Sequence, residues 1–238
     1  QVPRAFRRRE AFQEIDFEAM FAPVAKWAVE VDDAARMPEI TARAFAVAAG
    51  GRPGPVVVSL PEDMLTDEVD VADAKVAAHA KPEPSDADMV RVRELLSAAE
   101  RPLVIFGGGS WSKEICAEFE AFCESNGLPA VSSFRVMDIF NNDHPNFVGE
   151  LGYNTNPKLT QRVLDADLLL VVGARLGETT SQAYTIIKAP RPDQTMIHVY
   201  PDHTELGRVY QADLPIASGI GAFVSKARRS LQLDPGRW

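Results

Sequence analysis

Residues 103–114 read LVIFGGGSWSKE, an apolar run that breaks into Gly107, Gly108, Gly109 and Ser110 before a polar, helix-ready stretch. Glycines at a strand-to-helix turn let backbone N–H groups close on a phosphate, and the helix N-terminus adds partial positive charge. The same residues serve equally as a tight turn that uses glycine's backbone freedom. A dinucleotide pattern G-x-G-x-x-G would place glycine at 112, where Ser112 stands. The next apolar segment, PAVSSF, ends without an acid for a ribose, which argues against a standard NAD site. Arg175 follows LLLVVGA and lies between Gly173 and Gly177. At the mouth of a buried strand it is placed either to meet a diphosphate or to pair with Glu178 on the surface.

Other chemistries lack their residues. The run Gly108-Gly109-Ser110-Trp111-Ser112 misses the closing glycine of a nucleophile elbow. His79, His144, His198 and His203 are scattered without metal-ligand spacing, so no metal site is expected. His198 ends an apolar strand and reads as a core histidine. Ile115, Cys116, Phe119, Phe122 and Cys123 follow the spacing of one buried helix stripe, so both thiols are expected to pack rather than react.

Across 238 residues, a net charge of −9 with interspersed signs excludes a nucleic-acid-binding face as the main feature. The Arg4, Arg7, Arg8 and Arg9 cluster is expected to be a solvated surface segment. No apolar run approaches membrane-spanning length, so no membrane partner is expected. Reduced-looking cysteines and the absence of a visible signal peptide suggest the cytoplasm. Opening at Gln1 rather than Met, the sequence reads as a fragment or processed product.

The elements that would position these residues fall into three parts. Residues 1–65 carry a helix pattern at 16–26, a short strand at 27–31, a helix at 38–49 and a β-branched strand at 55–60. Residues 66–84 lack periodicity and read as a linker. From Ser85-x-x-Asp88, a capping-box pattern, helix and strand alternate: a helix after 85, strands 102–106, 129–132, 167–172, 195–200 and 214–217, and helices 112–125, 156–165 and 220–231. Apolar strands alternating with helices indicate an α/β fold, a Rossmann-like parallel sheet with helices on both faces, spanning 85–232. Part of a second α/β domain precedes it, and a tail follows at 233–238.

AFQEID (11–16), GRPGPVVVSLPEDM (51–64), RPLVIFGGG (101–109), DADLLLVVGARLGE (165–178) and IHVYPDHTELGR (197–208) occur in the order found in thiamine-diphosphate-dependent enzymes of the acetohydroxyacid (acetolactate) synthase type, which the chain resembles over nearly its whole length. The resemblance implies that 1–65 is the last part of a pyrimidine-binding domain and 85–232 the whole central domain. The family's catalytic glutamate corresponds to a position before Gln1. Its Gly-Asp-Gly segment, which holds magnesium and the cofactor diphosphate, corresponds to one beyond the tail; no such tripeptide occurs here. Thiamine diphosphate and magnesium are thus expected of a parent enzyme acting on a 2-keto acid as a homodimer or homotetramer, and this piece is expected to be inactive alone. Phe12 and Gln13 match family positions facing the reaction centre across a dimer interface.

In acetohydroxyacid synthases the central domain binds FAD, and related decarboxylases bind ADP there or leave the crevice empty. The resemblance places Gly107, Gly108, Gly109, Ser110, Gly152, Arg175 and Asp202 around that crevice. Three positions depart from the FAD pattern: Gly149-Glu150-Leu151-Gly152 for G-M-H-G, Tyr200 for the first acid before Asp202, and Ser218-Gly219 for a Gly-Asp pair. Glu62 also stands where these synthases often carry lysine. The alternative expectation is a nucleotide-binding or purely structural module without a catalytic role.

Overall fold

A computed structural model of the chain describes residues 1–76, 78 and 80–234; His79 and residues 235–238 of the expected tail lie outside them. Two compact units result, Gln1–Ala80 and Lys81–Trp238.

In the first unit, α1 (Phe17–Phe21) is capped by the Asp16 side chain, which accepts from the Ala19 N–H at 2.9 Å. The expected helix to residue 26 stops there because Pro23 has no N–H to extend it. Strand β1 (Trp27–Glu30) is followed by α2 (Met37–Ala49), with Pro38 in its first turn, and β2 (Val56–Ser59). The two strands pair in parallel, from Trp27 opposite Val56 to Glu30 opposite Ser59. The Lys26 ammonium donates to the Val47 and Gly50 carbonyls at the C-terminus of α2 (2.5 and 2.7 Å), the end of a helix where a cation is favoured. The arginine cluster divides. Arg4 bonds Asp63 and Asp67 (2.9 and 2.8 Å), and Arg7 pairs with Glu30 (2.5 Å), whereas Arg8 and Arg9 are exposed. The expectation of one solvated run is corrected: the carboxylates of 30 and 63–67 draw two members inward.

The core of this unit is small: Val31, Ala34, Ile40 and Met64 are buried, and every residue of β1 is only half-buried. Amides 56–59 are therefore expected to exchange faster than amides 168–172 in the isolated chain, since few apolar contacts restrain their opening. Hydrogen exchange followed by mass spectrometry checks this; equal protection would contradict it.

The second unit opens with α3 (Asp86–Ala98). Ser85 Oγ accepts from the Asp88 N–H (3.0 Å) and the Asp88 carboxylate accepts from the Ser85 N–H (2.8 Å), so the capping box forms. Then come β3 (Pro102–Phe106), α4 (Lys113–Ser125), β4 (Ala130–Ser132), β5 (Phe147–Glu150), α5 (Pro157–Asp165), β6 (Leu168–Val172), β7 (Thr195–Tyr200), β8 (Leu214–Ala217) and α6 (Ile220–Ser230). The six strands form one parallel sheet in the order β5-β4-β3-β6-β7-β8. Strand β5 is absent from the sequence expectation. Its four residues include Gly149 at φ +123°, and it pairs across a register shift at the edge of the sheet. Pro215 is tolerated because β8 forms the other edge, where a missing N–H breaks no ladder.

Alternation along the strands sorts the core by face. Val104, Phe106, Leu168, Leu170, Val172, Ile197 and Val199 pack with α3, α4 and α6. Leu103, Ile105, Leu169, Val171 and Met196 pack with α5 and the connection between β6 and β7. Five-residue strands buried at every position, as β3 and β6 are, require both layers. No helix among the described residues is long and apolar enough to cross a membrane.

Candidate functional site

The strand order reverses direction between β3 and β6: the chain leaves β3 towards β4 on one side and β6 towards β7 on the other. In an open parallel sheet such a switch point creates a crevice beyond the carboxyl ends of the strands. Each strand is followed by a glycine, Gly107 after β3 and Gly173 after β6. Gly107 N–H donates to the Val172 carbonyl (3.0 Å) and Gly173 N–H to the Val199 carbonyl (2.9 Å), so each glycine prolongs the ladder by one bond.

The two turns then press against each other. A Cβ on Gly107 would lie 1.9 Å from Ser133 Oγ, and one on Gly108 would lie 2.1 Å from the Gly173 carbonyl oxygen. A Cβ on Gly173 would lie 2.5 Å from the Gly107 oxygen. Gly108 and Gly173 also have φ of +76° and +73°. Close approach to the Ser133 side chain at Gly107, and of backbone to backbone at Gly108 and Gly173, accounts for these three glycines without a ligand. Gly109 has no such neighbour within 4 Å, and Ser110 has φ of +69°.

Beyond the turn, the Trp111 indole N–H donates to the Gly107 carbonyl at 2.9 Å while its ring packs against Phe106 and Phe119. Ser112 caps α4, accepting from the Ile115 N–H at 3.3 Å. Glu114 occupies the first turn, and its hydrogen bond with Ser112, followed by that with its own backbone N–H, holds its carboxyl below the usual range. The positive end of α4 thus already faces a carboxylate.

A shallow cleft of about 360 Å³ lies at the switch point, bounded by Gly108, Ser133, Phe134, Val136, Arg175 and Thr179. Arg175 does not pair with Glu178. Its Nε donates to Glu205 Oε2 at 2.6 Å, and Arg208 Nη1 donates to Glu205 Oε1 at 3.0 Å, so one carboxylate with a side chain only 8 % exposed joins two guanidiniums. Gly152 lies in a neighbouring cleft with Tyr153 and Thr179; its N–H donates to Thr155 Oγ1 at 2.7 Å, and a Cβ there would meet the Phe134 ring at 2.9 Å. The Asp202 carboxylate accepts from the Thr204 N–H (3.0 Å) and hydroxyl (2.7 Å), a local turn. Gly108 and Arg175 are therefore brought together, while Gly152 and Asp202 lie outside the lining of their cleft.

Ser133, Thr180 and Glu205 had no signal in the sequence, because their roles depend on loops meeting across the sheet. Thr180 Oγ1 accepts from the Phe134 N–H at 3.3 Å, and the buried Ser181 hydroxyl donates to the Gly177 carbonyl at 3.0 Å. Gln182, Ala183 and Tyr184 follow with φ of 50°, 56° and 62°, three successive left-handed residues that are not glycine. His198 is buried as expected, with Nε2 2.9 Å from the Ala174 carbonyl; burial is the main force pushing its pKa down. In the first unit, Phe12 is 89 % exposed and Gln13 has φ of +64°. Among the described residues no group of three or more His, Cys, Asp or Glu is placed to hold a metal.

The profile of the family described as "Thiamine pyrophosphate enzyme, central domain" matches residues 89–227. The chain is 30 % identical over 225 residues to a glyoxylate carboligase of Escherichia coli O157:H7, covering 93 % of this chain and 37 % of that protein. It is 29 % identical over 237 residues to the acetolactate synthase isozyme 1 large subunit of Escherichia coli K12, covering 99 % and 41 %. It thus spans about two fifths of the length of these curated relatives. Among solved structures, the benzoylformate decarboxylase of Polynucleobacter necessarius superposes with a TM-score of 0.79 over 98 % of this chain and 44 % of that one, at 22 % identity, a likeness of fold.

Proposed function

This chain belongs to the thiamine pyrophosphate enzyme family through its central domain, and on that premise we propose that it is the central region of a longer thiamine-diphosphate-dependent 2-keto-acid carboligase or decarboxylase, acetolactate synthase-like in its chemistry. The observation that carries the reading is the match of the family profile to residues 89–227 within one six-stranded parallel sheet, with relatives aligned over nearly the whole chain. In the parent enzyme the cofactor supplies a nucleophilic carbon and an electron sink for decarboxylation. The residues present do not fit that group. No Gly-Asp-Gly occurs in the sequence, and among the described residues no carboxylate cluster is placed for magnesium. No chemical step is therefore derived from this chain.

Its role in this reading is positional. The sheet from β3 to β8 forms a rigid middle, and Phe12 and Gln13 are offered towards a reaction centre completed by a partner subunit. The exposure of the Phe12 ring, 89 %, supports a surface that is covered in an oligomer. The crevice is scaffold: Gly107, Gly108 and Gly173 serve close packing, Glu114 opposes an anion at α4, and Arg175 is already bonded to Glu205. That donor set does not favour a flavin or adenine nucleotide. The parent is taken to be a cytoplasmic homodimer or homotetramer.

Two measurements test this. The purified 238-residue chain, given thiamine diphosphate, magnesium and pyruvate, should release no carbon dioxide and form no acetolactate. The protein isolated from its natural source should have an intact mass well above 26.1 kDa. Turnover by the chain alone, or a natural mass equal to it, would overturn the reading.

A further inference from the structure

The segment that joins the two units ends in KPEP (81–84), a sequence suited to accept hydrogen bonds rather than donate them. Pro82 and Pro84 have no N–H, and each holds the residue before it in an extended conformation. Alternate residues of an extended chain share a side, and here the Pro82 and Pro84 carbonyls both meet α6. The Pro82 carbonyl accepts from the Gly219 N–H at 2.8 Å, and the Pro84 carbonyl accepts from the Lys226 ammonium at 2.7 Å. The same ammonium pairs with the carboxylate of Asp86, the first residue of α3, at 2.7 Å. Pro84 is buried, whereas residues 67–76 are all exposed. The joining segment is therefore clasped at 82–86, across α6.

The start of α6 lies against the glycine turns. Ile220, its first residue, is buried, and its Cδ1 would stand 2.6 Å from a Cβ on Gly173, so this side chain fills the space that the glycine leaves. Gly173 in turn carries the carbonyl that presses on Gly108. On the other side, Gly221 sits so close to α4 that a Cβ there would stand 2.7 Å from Ile115 Cδ1. Contact thus runs without a gap from Pro82 through Gly219 and Ile220 to Gly173 and Gly108. Interiors packed this closely transmit displacement rather than absorb it. We propose that residues 82–86 are a strap that sets the position of α6, so that movement of the joining segment is delivered through Ile220 to the paired glycine turns at the switch point. Lys226 is the fastening: its charge holds Pro84 and Asp86 together, and Gly219 fixes the strap at the helix start.

The test is amide exchange, followed residue by residue by NMR, on the 238-residue chain. Lys226→Met keeps the apolar stem and removes the charge and its donors. The amides of Gly107 and Gly173, each bonded to a neighbouring strand, should exchange about tenfold faster, the loss of one charge-assisted bond. The amides of Leu169–Val171 in the middle of β6 should change by about twofold or less. Asp86→Asn, at a side chain 96 % exposed, loosens the same clasp without touching the core and should give the same pattern at about twofold. Lys188→Met, which breaks an exposed ion pair with Asp193, should leave these amides unchanged. Ile220→Val removes the Cδ1 atom against Gly173, and in that background Lys226→Met should no longer act selectively on Gly173. Equal acceleration along β6, no acceleration at Gly173, or a selective effect that survives Ile220→Val would overturn the proposal.

Discussion

Gly108→Ala is expected to destabilise the second unit by about 3–5 kcal/mol, near the upper end of single substitutions. Two costs combine. A residue with a side chain held in the left-handed region costs roughly 1–2 kcal/mol. The new methyl would also lie 2.1 Å from the Gly173 carbonyl oxygen, a backbone atom that cannot rotate aside. Relief requires the ends of β3 and β6 to part, which breaks the Gly107 N–H to Val172 carbonyl bond at the centre of the sheet. Gly109→Ala is the control, because a Cβ there meets nothing within 4 Å. It should change stability by no more than about 0.5 kcal/mol. Urea denaturation measures both. Equal midpoints for the two variants would show that the glycines are not held by close packing.

Phe106→Ala should cost about 3–5 kcal/mol in the same assay. Its ring is fully buried, with Phe119, Phe140, Trp111 and Phe147 around it at centroid distances of 5.4, 5.6, 6.4 and 6.4 Å. Truncation removes a partner from every one of these rings. The cavity also sits between the sheet and α4, where the strands cannot collapse without losing their ladder. Phe45→Ala, at a ring 72 % exposed on α2, should alter stability by about 0.5 kcal/mol or less in the isolated chain. A loss at Phe106 below 1.5 kcal/mol would mean that the cluster repacks freely.

Most of the α/β architecture was legible because its strands are apolar at consecutive positions and its helices carry one buried stripe. LVIF and LLLVV need no partner to be recognised as buried strands, and Ser85 with Asp88 announces the start of α3. Strand β5 was not legible: FVGE is short, includes a glycine and is half-buried, so neither periodicity nor composition marks it. The site was less legible than the fold. That Gly108 touches Gly173, or that Arg175 chooses Glu205 over Glu178, depends on which loops the sheet brings together. Local pattern carries no record of that meeting. Arg4 and Arg7 teach the same lesson, since their carboxylate partners lie far along the chain.

The order β5-β4-β3-β6-β7-β8 has a consequence for how the domain is made. β3 is synthesised first of the six strands yet lies in the middle, so one of its edges waits for Ala130 and its neighbours and the other for Leu168–Val172. Every pairing is parallel and spans a connection that must close before its contacts form, which slows folding relative to hairpin-built sheets. During translation, a nascent chain ending before β6 holds three strands with one edge of the apolar strand β3 open to solvent. That edge pairs readily with another chain. A ribosomal pause in the stretch from α5 to β6 would therefore leave a nascent chain prone to aggregate until Leu168–Val172 covers the open side of β3.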